Sequence, residues 1–189
     1  MATNRRIVSK DESGKLYPTP KWATKALLEF ETFNGSVLEP CCGDGSMSEV
    51  LKASGLTVSS SDVVDYGYGE VKDFFEVKDR CDNIITNPPY SIAGEIWDHA
   101  YQLATNKVAL LLRLAFLEGI ERYDTIYEHN WPARIYVFSE RLSMFPKGDE
   151  RSKGGTTAYA WFVWDRYADK NVKTIINWIP PGTKDRLSG

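Results

Sequence analysis

Six strand-sized runs, separated by segments of helical periodicity, restrict the fold of this chain more than any other feature. They are VLEP (37–40), LTVSSSD (56–62), DNIITN (82–87), KVALLLRL (107–114), RIYVFSE (134–140) and AYAWFVW (158–164). Several are apolar throughout, which suits strands covered on both faces of a sheet. Between them lie helical patterns. In YPTPKWATKALLEF, Thr19 is expected to cap, Pro20 to take the first helical position, and Ala23, Ala26, Leu27 and Phe30 to share one face. Residues 46–54 place Met47, Val50 and Leu51 inward, with Gly55 closing the helix. After Tyr90, Ile92, Ile96, Trp97, Ala100 and Leu103 form a third apolar stripe. The alternation predicts an α/β fold: a doubly wound, mostly parallel Rossmann-like sheet with helices on both faces. The last two strands, joined by FPKGDERSKGG, are expected to pair as an antiparallel edge.

A chain of 189 residues suffices for one domain with a substantial core. The reading is a mobile segment at 1–15, a single domain at 16–180 without a separate recognition domain, and a tail at 181–189. No apolar stretch has the length of a membrane span, and the N-terminus has no apolar signal core. Three cysteines, two of them adjacent (Cys41, Cys42), argue against a disulfide framework and suit a reducing cytosol. His99 and His129 stand alone, so no metal is expected, and His99, within an apolar helix, reads as structural. The net charge is −3, unevenly placed: residues 29–82 hold twelve acids against four bases, while 133–153 and 166–189 are net basic. A solvated surface accounts for this pattern, and it is also compatible with a polyanion docking on the C-terminal side.

LEPCCGDG puts Gly43 and Gly45 between the first strand and its helix, the position at which doubly wound sheets bring backbone close to a nucleoside. The same pattern also serves as a plain tight turn. Asp62, ending the second strand 17 residues after Gly45, is placed to accept from a ribose diol. Ser48 stands where a dinucleotide fingerprint has its third glycine, which disfavours a pyrophosphate. Glu39, Asp44 and the acidic segment around them would attract a cationic cofactor, and S-adenosylmethionine fits. Asp73 and Phe74 are an acid and an aromatic of the kind that hold adenine; Phe74 reads equally as core.

TNPPY (86–90) follows the strand expected beside the first. A turn needs only the prolines and leaves the amide and the aromatic unexplained. An exocyclic amine on adenine is a poor nucleophile, because its lone pair is delocalised into the ring. The Asn87 side-chain oxygen and the Pro88 carbonyl are two acceptors for its N–H groups, favouring the transition state. Pro88 and Pro89 fix the carbonyl and remove competing donors, and Tyr90 offers a face on which a base stacks.

NPPY together with LEPCCGDG and Asp62 resembles the class I S-adenosylmethionine-dependent methyltransferases of amino nitrogens, above all the small phage and bacterial DNA N6-adenine enzymes. The resemblance covers roughly residues 16 to 166. It implies that NPPY contacts the target amine and that the glycine turn, with Cys41 inside it, and Asp62 hold the cofactor. It further implies that Tyr17-Pro18-Thr19-Pro20 lies against the methionine part. The expected activity is methyl transfer to adenine N6 in DNA, at a short or relaxed target sequence, in a phage or bacterial host cytosol. Recognition would fall to the loops at 113–132 and 140–156, with Arg113, Arg141, Phe145, Lys147, Arg151 and Lys153 as candidates. RNA adenine methylation, protein glutamine N5 methylation and a non-catalytic cofactor-binding subunit stay open as alternatives.

Overall fold

A computed structural model describes residues 16–144 and 157–188. The segment expected to be mobile, 1–15, and the candidates Phe145, Lys147, Arg151 and Lys153 lie outside the described residues. The chain begins with α1 (Lys21–Phe30), then β1 (Ser36–Glu39), α2 (Ser46–Ala53), β2 (Thr57–Asp62), β3 (Glu70–Val71) and β4 (Cys81–Thr86). It continues with α3 (Ala93–Leu103), β5 (Ala104–Arg113), the short α4 (Ile120–Arg122), β6 (Arg134–Phe138), β7 (Tyr159–Asp165), β8 (Ile175–Ile179) and α5 (Thr183–Leu187).

The strands form one eight-stranded sheet in the order β3-β2-β1-β4-β5-β7-β6-β8. All neighbours are parallel except at β7, which runs antiparallel to both β5 and β6. The expected doubly wound architecture is present, with its antiparallel component in the C-terminal half. The outermost strand there is β8, which the sequence pattern did not announce. Its residues are mostly exposed, Trp178 at 64%, so no continuous apolar run marks it.

The two sheet faces sort by residue parity, as a pleated strand requires. On β5, Ala109 and Leu111 face α1 and α2 together with Trp161 and Val163 of β7. Val108, Leu110 and Leu112 face α3 with Phe162 and Trp164. Every residue from Val108 to Leu112 is buried, the physical reason that stretch is uninterrupted by polar residues.

Two local expectations are corrected. Thr19 makes no capping bond; Pro20 occupies the cap of α1, and the Thr19 hydroxyl is engaged elsewhere. Phe30 is 41% exposed rather than turned inward with Ala23, Ala26 and Leu27, and its ring lies 5.1 Å from that of Tyr136. The C-terminal residues read as a tail include α5, docked on α1. Lys25 Nζ donates to the Leu187 carbonyl at 2.8 Å, and Arg186 makes a two-pronged contact with Glu29.

Candidate active site

Strand order reverses between β1 and β4, and the crevice outside their carboxyl ends is the usual ligand position of an open α/β sheet. The glycine turn leaves β1 there and NPPY leaves β4 beside it.

On the first wall, Gly43 and Gly45 have φ of +52° and +81°, a region that side chains disfavour. Space is also short. A β-carbon on Gly45 would stand 2.4 Å from the Tyr68 ring, and one on Gly43 would stand 2.6 Å from Leu16 Cδ1. Asp62 braces the turn, accepting from Gly43 N–H at 2.9 Å and from Val64 N–H at 3.0 Å. Burial raises its carboxyl above the ordinary range. Asp44 accepts from the Ser46 hydroxyl at 2.6 Å.

Glu39 is 1% exposed beneath the turn. Burial, with Asp62 and Asp44 adding like charge, pushes its carboxyl up to about 8, although the Ser48 hydroxyl donates to it and works the other way. Ser48, read from sequence as a missing glycine, is therefore the partner of the buried acid. The native state keeps a proton on Glu39 that the unfolded chain surrenders, so stability falls as pH rises from about 4.5 to about 8. Thermal unfolding should show the wild type losing stability across that window while Glu39→Gln declines less steeply. Parallel curves would refute the assignment. The Cys41 thiol is also raised above its usual range, by burial and by Asp62, and forms a neutral wall.

On the second wall, Asn87 Nδ2 donates to Thr19 Oγ1 at 3.2 Å, and the Tyr90 hydroxyl donates to Asn87 Oδ1 at 3.0 Å. The Arg113 guanidinium lies 4.5 Å from the Tyr90 ring centroid, and Tyr159, opposite Arg113 on β7, has its ring 5.8 Å from Tyr90. Pro88 is buried and Pro89 exposed. Tyr17 and Pro20 are half-buried on the segment leading into α1.

The structure thus brings Thr19, Asn87, Tyr90 and Arg113 into one cluster and Glu39, Gly43, Gly45 and Asp62 into another. Phe74 takes the core option of its two readings: it is 3% exposed, with its ring 4.8 Å from His99. His99 is structural in this sense too, with Nε2 3.0 Å from the Val77 carbonyl oxygen. The Asp73 carboxylate accepts from Phe75 N–H at 3.0 Å. Arg141 is exposed just beyond β6. Sequence reasoning missed Tyr68 over the glycine turn and Tyr159 beside Tyr90. Both come from elements whose neighbours are set only by the folded sheet. Among the described residues no group of side chains has metal-ligating geometry, and no helix is long and apolar enough to cross a membrane.

No family model matches the chain, and no curated protein matches it. Solved structures do. A protein assigned as the modification subunit of a type I restriction enzyme from Vibrio vulnificus aligns with a TM-score of 0.59 at 14% identity over 91% of this chain. The chain spans about half, 49%, of that subunit. A protein assigned as an RNA methyltransferase from Pyrococcus horikoshii aligns with a TM-score of 0.59 at 14% identity, covering 77% of this chain and 81% of its own. A protein assigned as an O-methyltransferase from Agrobacterium tumefaciens reaches a TM-score of 0.59 at 10% identity, covering 89% and 94%. The chain shares their fold. At these identities the likeness is one of architecture, and the chemistry has to be argued from the crevice.

Proposed function

We infer that this protein is an S-adenosylmethionine-dependent methyltransferase acting on the N6 amine of adenine in DNA. The observation that carries the reading is the meeting, at one strand-order reversal, of a left-handed glycine turn braced by Asp62 and an amide carbonyl presented by Asn87. The crevice residues fit that cofactor: the glycine turn lets backbone approach a nucleoside closely, and Asp44 and Asp62 favour a cation, while the protonated Glu39 adds no charge. Gly43, Gly45, Cys41 and Asp62 would hold the adenosine part with Asp73 nearby, and Tyr17, Thr19 and Pro20 the methionine part. When bound, the cofactor supplies an electrophilic methyl group.

The chain's own work lies on the amine. Asn87 Oδ1 and the Pro88 carbonyl accept its N–H groups, concentrating electron density on nitrogen as it gains the methyl and loses a proton to water. Buried Pro88 and its rigid neighbour hold those acceptors still. Tyr90 supports the base, worth roughly 1–3 kcal/mol for stacking of this kind. The fold likeness to a restriction enzyme's modification subunit supports a nucleic-acid substrate, and the basic character of 133–153 agrees with it.

Incubation with labelled cofactor and unmethylated DNA, RNA and protein, followed by digestion and mass spectrometry, tests the reading. N6-methyldeoxyadenosine is the expected product. N6-methyladenosine from RNA or a methylated glutamine would reassign the substrate, and label on oxygen or carbon, or on nothing, would reject the amine chemistry.

A further inference from the structure

The geometry points to Thr19 as a positioning residue that sets which way the catalytic amide of Asn87 faces. The inference rests on the proposed role of Asn87 and deepens it. A carboxamide is nearly symmetrical in shape, so a half-turn of its outer torsion exchanges oxygen for NH2 with little change in packing. For an amine substrate that exchange is decisive. An oxygen accepts the N–H of the amine, whereas an NH2 group confronts it with a second donor.

Two hydroxyls flank the Asn87 amide, and they differ chemically. Tyr90 is a phenol, the stronger acid and better donor; it donates to Oδ1 at 3.0 Å. Thr19 carries an aliphatic hydroxyl, the better acceptor, and takes the Nδ2 proton at 3.2 Å. Both contacts favour one orientation, with the oxygen on the Tyr90 side. Oδ1 has two lone pairs, of which Tyr90 uses one and the substrate amine can use the other. Thr19 is 7% exposed, so water does not readily replace its hydroxyl. It reaches Asn87 across 68 residues of sequence. The same threonine precedes the cap of α1, which Pro20 occupies, and makes no capping bond. Its hydroxyl serves the amide of NPPY instead of the helix.

Thr19→Val keeps the shape and removes the acceptor; Thr19→Ala removes it with no added bulk; Thr19→Ser keeps it. In single-turnover assays on adenine-containing DNA at saturating cofactor, Val and Ala are expected to slow methyl transfer roughly tenfold, the equivalent of one lost hydrogen bond. Ser should restore the wild-type rate; because Thr19 also lies against the methionine part in the proposed site, the comparison is made at saturating cofactor, where a change in affinity does not enter the rate. A wild-type rate in Val and Ala, a loss confined to cofactor affinity, or a serine variant as slow as valine would overturn the inference. A second readout is independent of activity. The side-chain NH2 resonances of Asn87, assigned by their loss in Asn87→Asp, should shift in Thr19→Val and stay in place in Thr19→Ser. Resonances unmoved by valine would also refute the role. If the wild type methylates no adenine, the proposed function fails, while these resonances still decide whether Thr19 holds the amide.

Discussion

Asn87→Ala is expected to reduce methyl transfer by about 10²–10³-fold, the scale seen when one preorganised hydrogen-bonding group is removed from a developing charge. Alanine cannot accept an N–H, so one of the two acceptors proposed for the amine disappears and its lone pair stays delocalised. The hydrogen bonds of the glycine turn and Asp62 run to Gly43, Val64 and Ser46, and those of Asn87 to Thr19 and Tyr90. Cofactor affinity should therefore be nearly unchanged, and the defect should fall on the chemical step. Stability should fall by about 1–3 kcal/mol, because the buried Thr19 hydroxyl loses its partner. Single-turnover transfer of labelled methyl, with calorimetry alongside, checks the split. A rate within a few-fold of wild type would remove Asn87 from the chemistry.

The second large effect lies at the opposite end of the sheet and concerns the fold alone. Glu31, just past α1, has a side chain 2% exposed, bonds directly to β5 and β6, and reaches β7 through Arg134. It accepts from Lys107 Nζ at 2.6 Å, from the Tyr136 hydroxyl at 2.6 Å, and from both Nε and Nη2 of Arg134. Arg134 also donates to Asp165 at 2.6 Å. Burial alone would raise the Glu31 carboxyl, but bonds from Arg134, Lys107 and Tyr136 outweigh it and hold it below the ordinary range. Glu31→Ala leaves two cations facing one acid in a dry setting. The cost of breaking a buried pair is about 3–5 kcal/mol, or roughly 10 °C in Tm for a domain of this size. Because its folded carboxyl is lowered, Glu31 contributes stability above about pH 4.5 and loses it as pH falls further. Calorimetric unfolding of wild type and variant at pH 4 and 7 should show a gap that narrows at the acid end. A gap independent of pH would place the effect in packing rather than charge.

Legibility from sequence followed the reach of the forces involved. Val108–Leu112 and Tyr159–Trp164 were readable because burial on both faces writes itself into consecutive residues. Gly43 and Gly45 were readable because positive φ is a local demand, and TNPPY because two prolines cannot continue a strand. Thr19 was misread for the same reason: a threonine before a proline and a helix is good local capping grammar, overridden by a partner 68 residues away. Phe30 followed the apolar stripe of α1 and ended exposed, since the sheet beneath that last turn is covered by Tyr136 and the Glu31 network. β8 escaped notice because an outer strand that buries only Ile179 has little reason to carry an apolar pattern.

The reversed direction of β7 has a consequence for how such a protein can change. Because β7 alone runs against its neighbours, β6 ends and β7 begins at the crevice end of the sheet. The chain departs after Phe138 and returns at Tyr159, with Arg113 alongside in register. A parallel strand in that place would have required a helical crossover, tying the intervening segment to the layer that covers the sheet. With a reversed strand, the connection, with Leu142 near its start buried in the core, starts and ends at the crevice end of the sheet, with Tyr159 beside Tyr90, and needs no helical crossover. Its length and charge can diverge between relatives while the glycine turn, Asp62 and the amide grip stay where they are. If the proposed function holds, target preference and methyl transfer evolve as separate modules on one small sheet.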